Sequence, residues 1–156
     1  MKKISMFLIA VGLTFGLTGM ALAQTATQQV SFQIAAVNTI SVSGPPPVLV
    51  ISTIPGTATD NSTTYSVTTN QANRRITGQI DAAMPASTEL LANLQAPAGA
   101  TSAGAVALST TAVSLVTGIT RLVATGRSIT YTFNAIAGAS DIASDSRTVT
   151  FTITNP

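Results

Sequence analysis

Thr148-Val149-Thr150-Phe151-Thr152-Ile153-Thr154 is the stretch that decides the fold class. Successive side chains of an extended chain point to opposite faces, so Val149, Phe151 and Ile153 share one face and the four threonines share the other. The residues are β-branched or aromatic, which suits a pleated, half-buried surface, and the segment predicts a strand. Just upstream, Ile129, Tyr131, Phe133 and Ala135 alternate with Ser128, Thr130, Thr132 and Asn134 in the same manner. Gly138-Ala139-Ser140-Asp141 and the polar residues after it read as a long hairpin loop, so the two strands are expected to pair antiparallel.

The same period extends toward the N-terminus. Val30, Phe32, Ile34, Ala36, Ile40 and Val42 fall on even positions, with Ser31, Gln33, Thr39, Ser41 and Ser43 opposite, and predict one extended strand within residues 28–43. Gly44-Pro45-Pro46-Pro47 stops it, because proline offers no amide to a ladder. Val48-Leu49-Val50-Ile51 then reads as a short strand buried on both faces. Tyr65 and Val67 mark another strand, Asn70 to Asn73 a turn, and Arg75 to Ile80 a further strand in which Gly78 predicts a bulge or the close approach of another backbone. Leu90, Ala92, Leu94 and Ala96 alternate once more, and residues 105–123 fit either strand or a helical turn. Seven to eight short strands with turns between them predict an all-β fold, a two-sheet antiparallel sandwich.

Composition removes most catalytic chemistry. The 156 residues include no Cys, His or Trp, so thiol nucleophiles, Cys/His metal sites and Ser-His-Asp arrangements are excluded. Met1-Lys2-Lys3, the apolar run from Phe7 and the small-x-small pattern Ala21-Leu22-Ala23 form a secretory signal peptide over 1–23. The apolar run is short of the roughly 20 residues a membrane helix needs, so no transmembrane span is expected after its removal. Cleavage leaves 156 − 23 = 133 residues, 24–156, enough for a single domain. Both lysines leave with the signal, and five arginines balance five acids. Arg74-Arg75 is the only adjacent basic pair of the remainder, so nucleic acid is not an expected partner.

Among the acids, Asp141 with Asp145, and Asp60-Asn61-Ser62, are the oxygen-rich spots. Neither reproduces a calcium-loop spacing, and turn capping explains both. No catalytic, metal or cofactor-binding residue is assigned, no cofactor is expected, and the chain is read as a non-enzyme. Two surfaces remain. One is the threonine face of Thr130, Thr132, Thr148, Thr150, Thr152 and Thr154, which in principle matches ordered water or sugar but which sheet twist spoils as a lattice. The other is the set of strand edges. The runs 30–36, 129–135 and 148–154 carry no charge, whereas exposed edges are normally guarded by Lys, inward charges or Pro. Val30, Phe32, Ile34, Ala36, Ile40 and Val42 are therefore candidates for strand addition to a neighbouring subunit, the other placement being the first strand of their own sandwich.

With its signal peptide, its Thr/Ser/Ala-rich alternating strands, its extended N-terminal strand and its final TVTFTIT, the sequence resembles bacterial secreted surface and pilus-type subunits of immunoglobulin-like fold. The resemblance implies an immunoglobulin-like sandwich exported to the cell surface or medium, with the periplasm as the other destination. The expected function is structural or adhesive, with self-assembly into an oligomer or filament and cell-surface components as further partners. The alternative is a monomeric extracellular glycan- or ligand-binding module. The chain lacks the disulfide common in chaperone–usher subunits and the long N-terminal helix of type IV pilins.

Overall fold

The computed structural model describes residues 24–156; the expected signal peptide, 1–23, lies outside the described residues. Of these, residues 24–33 fall in one unit and Ile34–Pro156 in another. In the first, residues 24–33 carry no regular secondary structure and are exposed. The second is all strand and connection, with nine strands in two antiparallel sheets.

One sheet has five strands: β1 (Asn38–Val42), β2 (Gly56–Thr69), β8 (Leu122–Ala135), β4 (Thr88–Leu94) and β6 (Val106–Ala107), in that spatial order. The other has four: β5 (Thr101–Ser102), β7 (Val113–Ile119), β3 (Arg74–Ile80) and β9 (Val149–Thr154). The alternation read from the sequence is the alternation of burial. Thr63, Tyr65, Val67 and Thr69 of β2 are buried, and the residues between them are not. Tyr65, Val67, Leu94 and Ile129 from one sheet and Ile76, Ile80, Leu115 and Ile119 from the other form a single apolar core. The arrangement is sandwich-like. Each fully buried side chain of this kind contributes about 1.5–3 kcal/mol relative to exposure.

Several expectations are corrected. The last two strands do not form a hairpin: β8 lies between β2 and β4 in one sheet, while β9 pairs with β3 in the other. The cause is general to this chain, because every connection after β2 crosses from one sheet to the other. Only β1 and β2 are both consecutive and paired. Val48-Leu49-Val50-Ile51 forms no strand, and Val48 and Val50 are exposed. Three preceding prolines supply no donors, so nothing draws this segment into a ladder. The long run ending at Val42 is a strand only over Asn38–Val42. Residues 105–123 resolve into β6, β7 and the start of β8. The two-residue β5 and β6 account for strands beyond the expected number.

Another expectation holds. The turn at 70–73 places Asn73 at φ 53°, a left-handed conformation that Asn tolerates. At Gly78 the expectation is corrected: the register irregularities of β3 fall before it, between Arg74 and Thr77, and what crowds it is side chains and no second backbone. A Cβ there would lie 2.6 Å from Leu115 Cδ1 and 3.3 Å from Leu108 Cδ2.

The two tyrosines are the ionisable groups of the core. Burial pushes Tyr65 up to about 12 against the downward pull of the Arg127 guanidinium, and burial alone pushes Tyr131 up to about 12. The Tyr65 hydroxyl donates to the Gln95 carbonyl at 2.7 Å. Stability from these neutral phenols is fully present below the ordinary value near 10 and is lost as pH rises through the folded value. With two Tyr and no Trp in the chain, phenolate absorbance near 295 nm is expected to stay flat through pH 10 and to rise only as the fold opens. A normal titration midpoint near 10 in folded protein, for either residue, contradicts this.

Candidate functional site

Four of the five described acids, Asp60, Asp81, Glu89 and Asp145, are engaged in side-chain hydrogen bonds. Asp60 Oδ1 accepts from the Ser62 amide (3.1 Å) and hydroxyl (2.8 Å), which shapes the bulge in β2. Asp145 pairs with Arg147 at 2.6 Å, and Arg147 also donates twice to the Ala83 carbonyl, at 3.1 and 2.8 Å. The Asp81 carboxylate accepts from the Thr148 amide at 3.0 Å. These bonds tie the approach to β9 onto the end of β3. Among the described residues no three acids gather into a metal-binding group, and no helix is long and apolar enough to cross a membrane.

The Thr148 amide bond holds the Asp81 carboxyl below the usual carboxylate range, and the Arg147 guanidinium does the same for Asp145. Both pKa values are lower folded than unfolded, so their contribution is complete above the ordinary value near 4 and is lost as pH falls through the lower folded one. Thermal midpoints are expected to fall on acidification below about pH 4. Asp81→Asn keeps an acceptor but cannot titrate, and should flatten that fall; an unchanged slope would remove Asp81 from the account.

The threonines named from sequence are not brought together. Thr130 and Thr132 lie on β8 in the five-stranded sheet, whereas Thr150, Thr152 and Thr154 lie on β9 in the four-stranded one, with Thr148 just before it. They form two separate faces. Beside Thr132, a polar row missed in the sequence crosses three strands: the Thr57 hydroxyl donates to Asn134 Oδ1 at 2.9 Å, and Asn134 Nδ2 donates to Glu89 Oε1 at 2.8 Å. It borders an open depression of about 370 Å³ that Pro55, Gly56 and Ile136 also line. No spacing in the sequence reveals this row, because it depends on the register of β2 and β4 against β8.

The strand-addition candidates divide at Asn38. Val30, Phe32 and Ile34 are 73%, 93% and 86% exposed, and Ala36 is exposed too. The segment is held at its C-terminal end, where Asn70 Nδ2 donates to the Ala35 carbonyl and Asn70 Oδ1 accepts from the Val37 amide. Ile40 and Val42 belong to β1, the outer strand of the five-stranded sheet, opposite Val67 and Tyr65. They therefore face inward. Yet Val42 is 54% exposed while Tyr65, its partner, is 1% exposed.

The same asymmetry marks β9, the outer strand of the other sheet. Ile153 and Val149 sit opposite Ile76 and Ile80, both buried, but are themselves only half-buried, as is Phe151. The Asp81 amide donates to the Thr148 carbonyl, which fixes the ladder's phase. Antiparallel strands alternate hydrogen-bonded and non-bonded pairs, so Thr150, Thr152 and Thr154 direct their backbone groups to β3. Val149, Phe151 and Ile153 direct theirs to the outer edge, where no strand pairs with them among the described residues. β1 approaches β9, so the two underfilled strands border one flank. Of the three uncharged runs, 129–135 is interior to its sheet and only 148–154 forms an edge.

Compared with known proteins, the chain matches no family model, no curated protein and no solved structure.

Proposed function

We propose that the chain is an exported, non-enzymatic domain of immunoglobulin-like type that serves as a structural or adhesive component outside the cytoplasm and self-associates through strand edges. The observation that carries this reading is the exposed row of Val30, Phe32 and Ile34, an uncharged strand-forming segment left outside both sheets. Large apolar side chains so exposed mark interaction surfaces when they are contiguous. The open, uncharged edges of β1 and β9 are the complementary feature.

Purified exported protein, concentrated and viewed by negative-stain microscopy with sedimentation alongside, tests the reading. Filaments or ordered oligomers are expected. A monodisperse monomer at every concentration overturns it and favours the second reading, a glycan- or ligand-binding module. The polar row of Thr57, Asn134 and Glu89 beside an open depression is what favours that alternative. Saturable binding of soluble glycans by the monomer, weakened by Asn134→Ala, would establish it.

A further inference from the structure

We infer that a second copy of this chain is steered end-on to the first, its acidic half against the arginine half. The inference rests on the self-association proposed above and adds to it a contact of different chemistry, at strand ends and not along strand edges. The topology separates the charges. The turn at 70–73 and the turn before β8 meet at one end of the two sheets, where the Arg121 amide donates to the Gln71 carbonyl and the Asn73 amide to Thr120 Oγ1. β3 and β8 start at that end, so Arg74, Arg75 and Arg121 gather there. Arg127, opposite Tyr65, falls in the same half. At the other end β3 finishes and β4 and β9 start. Asp81 follows β3 there, Glu89 opens β4, and Asp141, Asp145 and Arg147 lie in the connection leading into β9. Asp60, opposite Tyr131, is on that side of the midpoint of β2. Among the described residues, one half thus has four arginines and no acid, a charge of +4, and the other has five acids and one arginine, a charge of −4. Residues 24–37 carry none.

The two halves scarcely compensate each other within one chain. Arg74 and Asp81 bound a single strand and are separated by about 23 Å at about 3.3 Å per residue, well beyond the Debye length of about 8 Å at physiological ionic strength. The arginine half is also short of acceptors. Arg74 reaches only Gln71 Oε1, at 3.4 Å, and Arg75 only Ser114 Oγ, at 3.5 Å. The buried Nε atoms of Arg74, Arg75 and Arg127 have no partner among the described residues, where Arg147–Asp145 is the one ion pair. On the opposite half Asp81, Glu89, Asp141 and Asp145 are all exposed.

A second copy is the occupant because the halves are equal and opposite: the carboxylates that one end lacks are presented by the far end of a neighbour. The contact is heterologous, so it repeats from copy to copy. Exposed ion pairs add little affinity, and charge complementarity acts mainly on the rate and orientation of encounter. The charged ends therefore align copies whose lasting attachment comes from strand edges.

Residues 24–156 contain no Lys, so in the exported protein Arg121→Lys keeps the charge and introduces the only side-chain amine. A carbodiimide joins an amine to a carboxylate in contact with it. Under assembling conditions at low salt it is expected to couple position 121 of one chain to Glu89, Asp141 or Asp145 of another, read by peptide mass spectrometry of the covalent dimer. Wild-type assembly should begin about tenfold faster or more near 0.01 M salt than near 1 M, as the Debye length contracts from about 30 to about 3 Å. Arg75→Glu/Arg121→Glu/Asp141→Arg/Asp145→Arg keeps the chain neutral but leaves two charges of each sign in one half and three of each in the other. It should assemble at the slow rate in any salt. Arg121→Glu/Asp141→Arg, confined to exposed connections, should show an intermediate salt slope and guards against misfolding of the fourfold variant. Assembly whose rate ignores salt, or assembling protein that gives no coupling at position 121, overturns the inference and leaves association through edges standing. A wild-type chain that is monomeric throughout removes both.

Discussion

Ile76→Ala is expected to cost about 2–5 kcal/mol, and Ile153→Ala, directly across the ladder, markedly less in the unassembled chain. The two side chains have the same size and β propensity, so the comparison isolates burial. Ile76 is fully buried, and its truncation leaves a cavity that neighbouring Val116, also fully buried, cannot readily fill. Ile153 is half-buried at a sheet edge, where less apolar area is lost and water or a small strand movement relieves the void. A domain is held by about 5–15 kcal/mol in all, so Ile76→Ala removes a large share of it. Urea unfolding of both variants measures the difference. Equal costs would mean that the flank beside β9 is as closed as the interior, and association through that edge would lose its physical basis.

What was legible in the sequence follows the range of the forces involved. The strands at 129–135 and 149–154 show in the pattern because alternation is local: each residue reports which face it occupies. Their pairing does not show, since a connection from Ile136 to Thr148 can close a hairpin or cross to another sheet, and the hydrogen bonds that decide lie with β2, β3 and β4. β2 extends to Gly56, far beyond Tyr65 and Val67, although Asp60-Asn61-Ser62 reads as a turn. In the fold, the Asp60 turn to Ser62 becomes a bulge inside the strand. Val48 to Ile51 misleads in the opposite sense, as apolar side chains suggest burial but cannot replace missing amide partners. The uncharged runs were visible as candidate edges. Which of them is an edge required the strand order.

Removing residues 24–34 is expected to leave the two sheets folded and to abolish assembly altogether. The deleted side chains are exposed and contribute nothing to the core cluster, so the unfolding midpoint of the monomer should change little. Starting the chain at Ala35 retains the carbonyl that accepts from Asn70 and the Val37 amide beyond it, which keeps the entry into β1 anchored. If the segment instead completed its own sandwich, Val30, Phe32 and Ile34 would bury on folding. Their loss would then cost about 1.5–3 kcal/mol for each side chain, enough to unfold many domains of this size. Circular dichroism and sedimentation separate the cases: a folded monomer supports exchange between copies, whereas an unfolded chain places the segment in its own core. A truncated chain that still forms filaments would show that assembly runs through other edges. The triple substitution Val30→Thr/Phe32→Thr/Ile34→Thr provides the finer version, because it preserves strand propensity and every backbone amide while removing most of the apolar area. Assembly should then weaken by orders of magnitude while the β-sheet spectrum persists, since backbone pairing alone in water yields little net free energy and burial of the row must supply the rest.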